Sequence, residues 1–137
     1  MQIQPYLFFN GRCDEALEFY CKALGAEVTM LLRYKDSPDP VPEGMLPRGS
    51  ENKVMHANLR IGGADVMASD GNCTGQAAFQ GFSVSIAVPD EATANRFFVA
   101  LAENGQVQRP IGKTFFSPCF GMVADRFGVS WMINVMP

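Results

Sequence analysis

At 137 residues, 47% hydrophobic and 18% charged, the chain has the composition of one folded domain with room for a sizeable core. A net charge of −3 with no Lys/Arg cluster excludes a phosphate-backbone surface, so no nucleic-acid partner is expected. No run approaches the roughly 18 apolar residues of a membrane helix, and MQIQPYLFF lacks a secretory basic start, so a cytoplasmic protein with no membrane partner is expected.

Gln2 to Phe9 reads as a strand, with Tyr6 and Phe8 on one face and Pro5, Leu7 and Phe9 on the other. After Asn10-Gly11, CDEALEFYCKALG has helical period. Ala16, Leu17, Tyr20, Ala23 and Leu24 form its apolar stripe, and Gly25 ends it. Ala26 to Tyr34 is a second strand. Residues 35 to 53 carry four prolines and no periodicity, which fits either a solvated insertion or a lid whose Met45-Leu46 dips onto an apolar mouth.

Lys53 to Asp70 reads as a hairpin turning at Gly62-Gly63. That register opposes Ile61 to Ala64, Leu59 to Val66 and Ala57 to Ala68 on an apolar face for the helix to cover. The other face opposes Arg60 to Asp65, Asn58 to Met67 and His56 to Ser69.

Gly71 to Gln80 is a polar linker, after which the plan repeats. Gly81 to Val88 is a strand, and Asp90 caps the helix EATANRFFVALAEN with Ala94, Phe97 and Leu101 facing the core. Val107 to Ile111, Thr114 to Phe116, Gly121 to Asp125 and Val129 to Val135 supply short strands, with Asp125 capping the last turn and Trp131 in the core. The fold class is therefore α+β, a single domain of tandem βαβββ modules at about 1–72 and 81–137, joined by a linker at 73–80.

PYLFFNG, EALEFYCKALGAEV, VMHANLRIGG, MASDG and FGMVADRFGVSWMIN span the chain and are similar to the PhnB-like branch of the vicinal-oxygen-chelate superfamily. That superfamily includes glyoxalases, bleomycin-resistance proteins and extradiol dioxygenases, and the branch often carries the label 3-demethylubiquinone-9 3-methyltransferase. The resemblance implies a curved mixed sheet per module with a helix on its outer face, a small-molecule site inside the cup, and a homodimer. The superfamily's metal enzymes place one ligand on each of four strands. Those positions fall here on Pro5, Met67, Phe82 and Met132, and a one-residue slip offers Gln4, Val66 or Ala68, Gly81 or Ser83, and Trp131 or Ile133. Neither set builds a divalent site, so no metal or other cofactor is expected. The four cysteines form no CxxC pair and are expected as free thiols.

Strand alternation then predicts the face opposite the helix. In the first module it carries Leu7, Phe9, Thr29, Leu31, Arg33, His56, Asn58, Arg60, Met67 and Ser69. In the second it carries Phe82, Met132 and Asn134, with Phe115, Phe116 and Cys119 approaching. His56 is either a general base or a structural histidine. Arg33 and Arg60 either receive an anion or, for Arg60, pair with Asp65. Three functions compete: a metal-free protein binding a small-molecule ligand, an enzyme of the same fold with atypical metal ligands or His56 as acid/base, and the methyltransferase of the family label. The label is the weakest, because no strand-to-helix turn offers a glycine-rich nucleotide loop.

Overall fold

The glycine pair turns the hairpin as its sequence demands, Gly62 adopting a φ of 60° that a side chain would resist. In this computed structural model, which describes residues 1–39 and 44–137, the hairpin strands are β3 (Val54–Ile61) and β4 (Ala64–Ser69). Their register is the expected one: Ile61 opposite Ala64, Leu59 opposite Val66, Arg60 opposite Asp65, Asn58 opposite Met67, Ala57 opposite Ala68. The first strand, β1 (Tyr6–Phe8), is shorter than the sequence suggests and joins β4 in parallel. The helix α1 (Cys13–Leu24) follows, and β2 (Glu27–Arg33) closes a mixed sheet of order β1-β4-β3-β2. The segment that follows β2 contains two short 3-10 turns, Tyr34–Asp36 and Ser50–Asn52; positions 40–43 within it lie outside the described residues.

The stripe Ala16, Leu17, Tyr20, Ala23 and Leu24 is buried, together with Phe19. Gly25 ends α1 in the left-handed conformation, its amide donating to the Tyr20 carbonyl. The start of α1 has no side-chain cap of its own. Instead Asp70, fully buried just after β4, accepts the amides of Gly11 (2.7 Å) and Cys13 (2.8 Å) through Oδ1. Its Oδ2 accepts the amide of Val54 at 2.8 Å. One carboxylate thus satisfies orphan donors at a helix N-terminus, where negative charge is favoured, and locks the helix to the hairpin root.

These elements form one unit, Met1–Ala77; a second, Ala78–Pro137, repeats the plan. It contains β5 (Val84–Val88), α2 (Glu91–Ala102), β6 (Gln106–Gly112), β7 (Phe120–Ala124) and β8 (Ser130–Val135), in a mixed sheet of order β5-β8-β7-β6. Asp90 caps α2 by accepting the Thr93 amide at 2.7 Å. The core face of α2 runs through Ala94, Phe98 and Leu101 rather than Phe97, which is only half-buried beneath the Arg96 guanidinium. Two adjacent phenylalanines leave the helical phase ambiguous by one residue, and Phe98 wins because it packs over Gly121, which offers no side chain. Thr114 to Phe116 is not a strand: the Thr114 hydroxyl accepts the Ser117 amide at 3.0 Å and closes a turn. Trp131 is buried, as expected, and its indole donates to Asp125 Oδ2 at 2.9 Å. Oδ1 of Asp125 accepts the Phe127 and Val129 amides, which holds the last turn. Among the described residues no helix is long and apolar enough to cross a membrane.

Candidate ligand-binding face

In the first unit the sheet face turned away from α1 is set by register. Pairing places Tyr6 beside Met67 and Phe8 beside Ser69 on β1 and β4. Met67 in turn lies opposite Asn58 on β3. Across to β2, Asn58 opposes Met30 and His56 opposes Leu32. Partners across a sheet share a face, so Tyr6, Phe8, Met30, Leu32, His56, Asn58 and Met67 stand together. Phe8 is 49% exposed, Met30 47% and Tyr6 37%. The Tyr6 and Phe8 rings stack at 4.8 Å and 23°. Tyr6 Oη lies 2.8 Å from His56 Nδ1. Burial pushes the Tyr6 phenol upward, with the nearby Ser69 hydroxyl acting in the opposite direction.

Two residues assigned to this face belong to the other. Leu7 and Phe9 are 3% and 2% exposed, Leu7 beside Ala68 on the helix side and the Phe9 ring 6.1 Å from Tyr20. PYLFF offers no polar residue to fix the phase, and the parallel pairing with β4 decides it. Arg33 is corrected likewise. A bulge at Thr29 shifts the phase of β2, so Leu31 opposes the buried Ala57. A second register shift sets Arg33 opposite buried Val54. Its guanidinium there grips Asp14 of α1 with two bonds of 2.8 and 2.9 Å, and that hydrogen bond raises its pKa. Thr29 itself stays near the face, its hydroxyl accepting from Asn58 at 2.7 Å.

The remaining polar groups are largely occupied. Arg60 pairs with Asp65 at 3.1 Å, which lowers the pKa of the carboxylate. Asn58 also reaches Asp65, at 3.3 Å. Ser69 is buried; its hydroxyl donates to the Val54 carbonyl and accepts the Gly71 amide at 2.8 Å. His56 therefore bonds to Tyr6 and not to Ser69. Met45, Leu46, Asn72 and Thr74 line a separate open cleft of about 600 Å³ elsewhere in this unit.

In the second unit, Met132 and Asn134 lie on the sheet face away from α2, opposite Met122 and Phe120. The Asn134 side-chain oxygen is buried without a partner among the described residues. Cys119, just before β7, is 5% exposed, its carbonyl accepts the Val135 amide, and burial pushes its thiol up, against a nucleophilic role. Phe82 precedes β5 and packs edge-on against Phe79. Phe115 is wholly exposed in the β6–β7 loop, while Phe116 stands 5.0 Å from Phe120.

Two four-stranded mixed sheets, each with one helix, define a glyoxalase/bleomycin-resistance-type fold. That fold is shared with a glyoxalase-related enzyme from Fulvimarina pelagi, at 18% identity and TM-score 0.61 over 100% of this chain and 89% of that one. It is shared too with a glyoxalase/bleomycin resistance protein from Albidiferax ferrireducens T118, at 15% and 0.54 over 90% and 89%. More particularly, the chain belongs to the family described as 3-demethylubiquinone-9 3-methyltransferase, which matches residues 1–134. It is 36% identical over 143 residues to Protein YjdN of Escherichia coli strain K12, covering 99% of this chain and 96% of YjdN. Protein PA1353 from Pseudomonas aeruginosa is similar at 42% identity and TM-score 0.84, with 99% and 98% covered. A PhnB protein from Bacillus cereus is similar at 27% and 0.80, with 98% and 99% covered.

Proposed function

We propose that the protein binds a small, largely apolar molecule on the open face of its first sheet, without a metal ion. The observation that carries this reading is one sheet face on which exposed Tyr6, Phe8 and Met30 and half-buried Met67 stand with the Tyr6–His56 hydrogen bond. Apolar and aromatic surface with a few placed polar groups is how small-molecule sites are built. The metal expected of the superfamily does not fit. Pro5, Met67, Phe82 and Met132 provide neither imidazole nor carboxylate, and the described residues contain no group of three or more His, Cys, Asp or Glu able to hold an ion. A methyltransferase receives no support from the glycines, since the one glycine pair turns a hairpin rather than opening a helix. A second reading, His56 as acid or base on the bound molecule, draws on its place on the same sheet face. We infer too that copies of the chain pair as a homodimer, the exposed Val28 and Leu31 of the sheet-edge strand β2 providing apolar surface for it.

Untagged protein purified from its native host tests the reading by native mass spectrometry and elemental analysis. An organic molecule released on denaturation, and lost in Phe8→Ala, is the expected result. A stoichiometric transition metal, or release unaffected by Phe8→Ala, overturns it.

A further inference from the structure

Granted that binding reading, we propose that His56 serves the face as a hydrogen-bond donor through Nε2, and that the ligand is a neutral, planar molecule carrying a carbonyl-type acceptor. The chemistry begins with the 2.8 Å contact between the Tyr6 phenol and Nδ1. A phenol, with an ordinary pKa near 10, is a far stronger hydrogen-bond acid than a neutral imidazole N–H. Partial burial further favours its protonated form. The phenol therefore donates into the Nδ1 lone pair. A neutral imidazole carries one N–H, so its proton sits on Nε2, which has no partner among the described residues. A general base needs the opposite arrangement, with the lone pair on the outward nitrogen. Tyr6 is thus a positioning residue that selects a donor.

The rest of the face restricts the ligand body. The Tyr6 and Phe8 rings offer aromatic surface, and the flexible thioether of Met67 beside Tyr6 adapts to a planar ligand. Negative charge is disfavoured because the arginines of β2 and β3 are committed. Arg60 is held by Asp65 at 3.1 Å, and Arg33 is turned to Asp14 on the helix side. An anion would lose water here and gain no counter-charge.

The chain's single histidine makes its nitrogen NMR spectrum unambiguous. Long-range proton–nitrogen spectra, recorded where the imidazole is unprotonated, are expected to show the Nε2–H tautomer, shifting to a mixture in Tyr6→Phe. Calorimetry then compares 2-acetylnaphthalene, naphthalene and 2-naphthoate. The ketone is expected to bind about tenfold tighter than either, as one added hydrogen bond implies, and His56→Phe is expected to erase its advantage over naphthalene. A dominant Nδ1–H tautomer overturns the donor assignment, and naphthoate binding at least as tightly as the ketone overturns the ligand class. If none of the three probes binds, the binding reading itself fails and the ligand class falls with it, while the tautomer still decides the donor assignment.

Discussion

Replacing Asp70 by Asn probes the tie between the first helix and the hairpin root. The carboxylate accepts three backbone amides, Gly11 and Cys13 on Oδ1 and Val54 on Oδ2, and is fully buried. An asparagine can keep its oxygen toward Gly11 and Cys13, but its NH2 then faces the Val54 N–H, donor against donor. An orphaned buried amide costs about 1–3 kcal/mol, and two bonds reduced from charge-assisted to neutral lose about 1 kcal/mol each. The sum, about 3–5 kcal/mol, is a large share of the roughly 5–15 kcal/mol that stabilises a domain. Urea unfolding followed by circular dichroism measures it, and hydrogen exchange should locate the loosening at the start of α1. A loss below about 1 kcal/mol would refute the reasoning, because it would mean Val54 finds another partner at no cost.

Gly121→Ala should destabilise by about 1–3 kcal/mol in the same assay, since an added Cβ would stand 2.8 Å from the Phe98 ring and 3.0 Å from the Ile111 backbone. Leu17→Ala, 6% exposed on the α1 stripe, should cost about 2–5 kcal/mol; a change near zero would mean that α1 is not docked through this stripe. Cys13 and Cys119 are buried with thiol pKa values pushed up, chiefly by burial, so a disulfide reagent at neutral pH should leave both unmodified until the protein is unfolded. Rapid labelling of either in the native state would contradict their placement.

The hairpin was legible because each of its signals agreed: glycines at the turn, apolar against apolar, and Arg60 against Asp65. The α1 stripe and the Asp90 and Gly25 caps were legible for similar reasons. The faces of β1 and β2 were not. Tyr6 to Phe9 contains no polar contrast, so alternation alone cannot say which side meets the helix, and only pairing with β4 does. In β2 a bulge at Thr29 adds one residue, and one residue inverts every side chain beyond it. That is why plain alternation puts Arg33 on the ligand face while its guanidinium is found on Asp14. Asp70 was missed for another reason. An Asp before Gly reads as an ordinary turn residue, and its three amide partners come from positions 16 to 59 residues away. The Tyr6–His56 contact joins strands 50 residues apart in sequence and carried no local signal.

The binding face is tested most directly by methyl NMR of protein carrying labelled methionine, titrated with 2-acetylnaphthalene. Met67 stands beside Tyr6 on that face and Met30 stands on the same face at the far edge of the sheet, whereas Met45 lines the separate cleft. Shifts at Met30 and Met67 with Met45 unmoved are predicted, and they should vanish in Phe8→Ala. Shifts confined to Met45, or to no methionine at all, would contradict a ligand site on the first sheet.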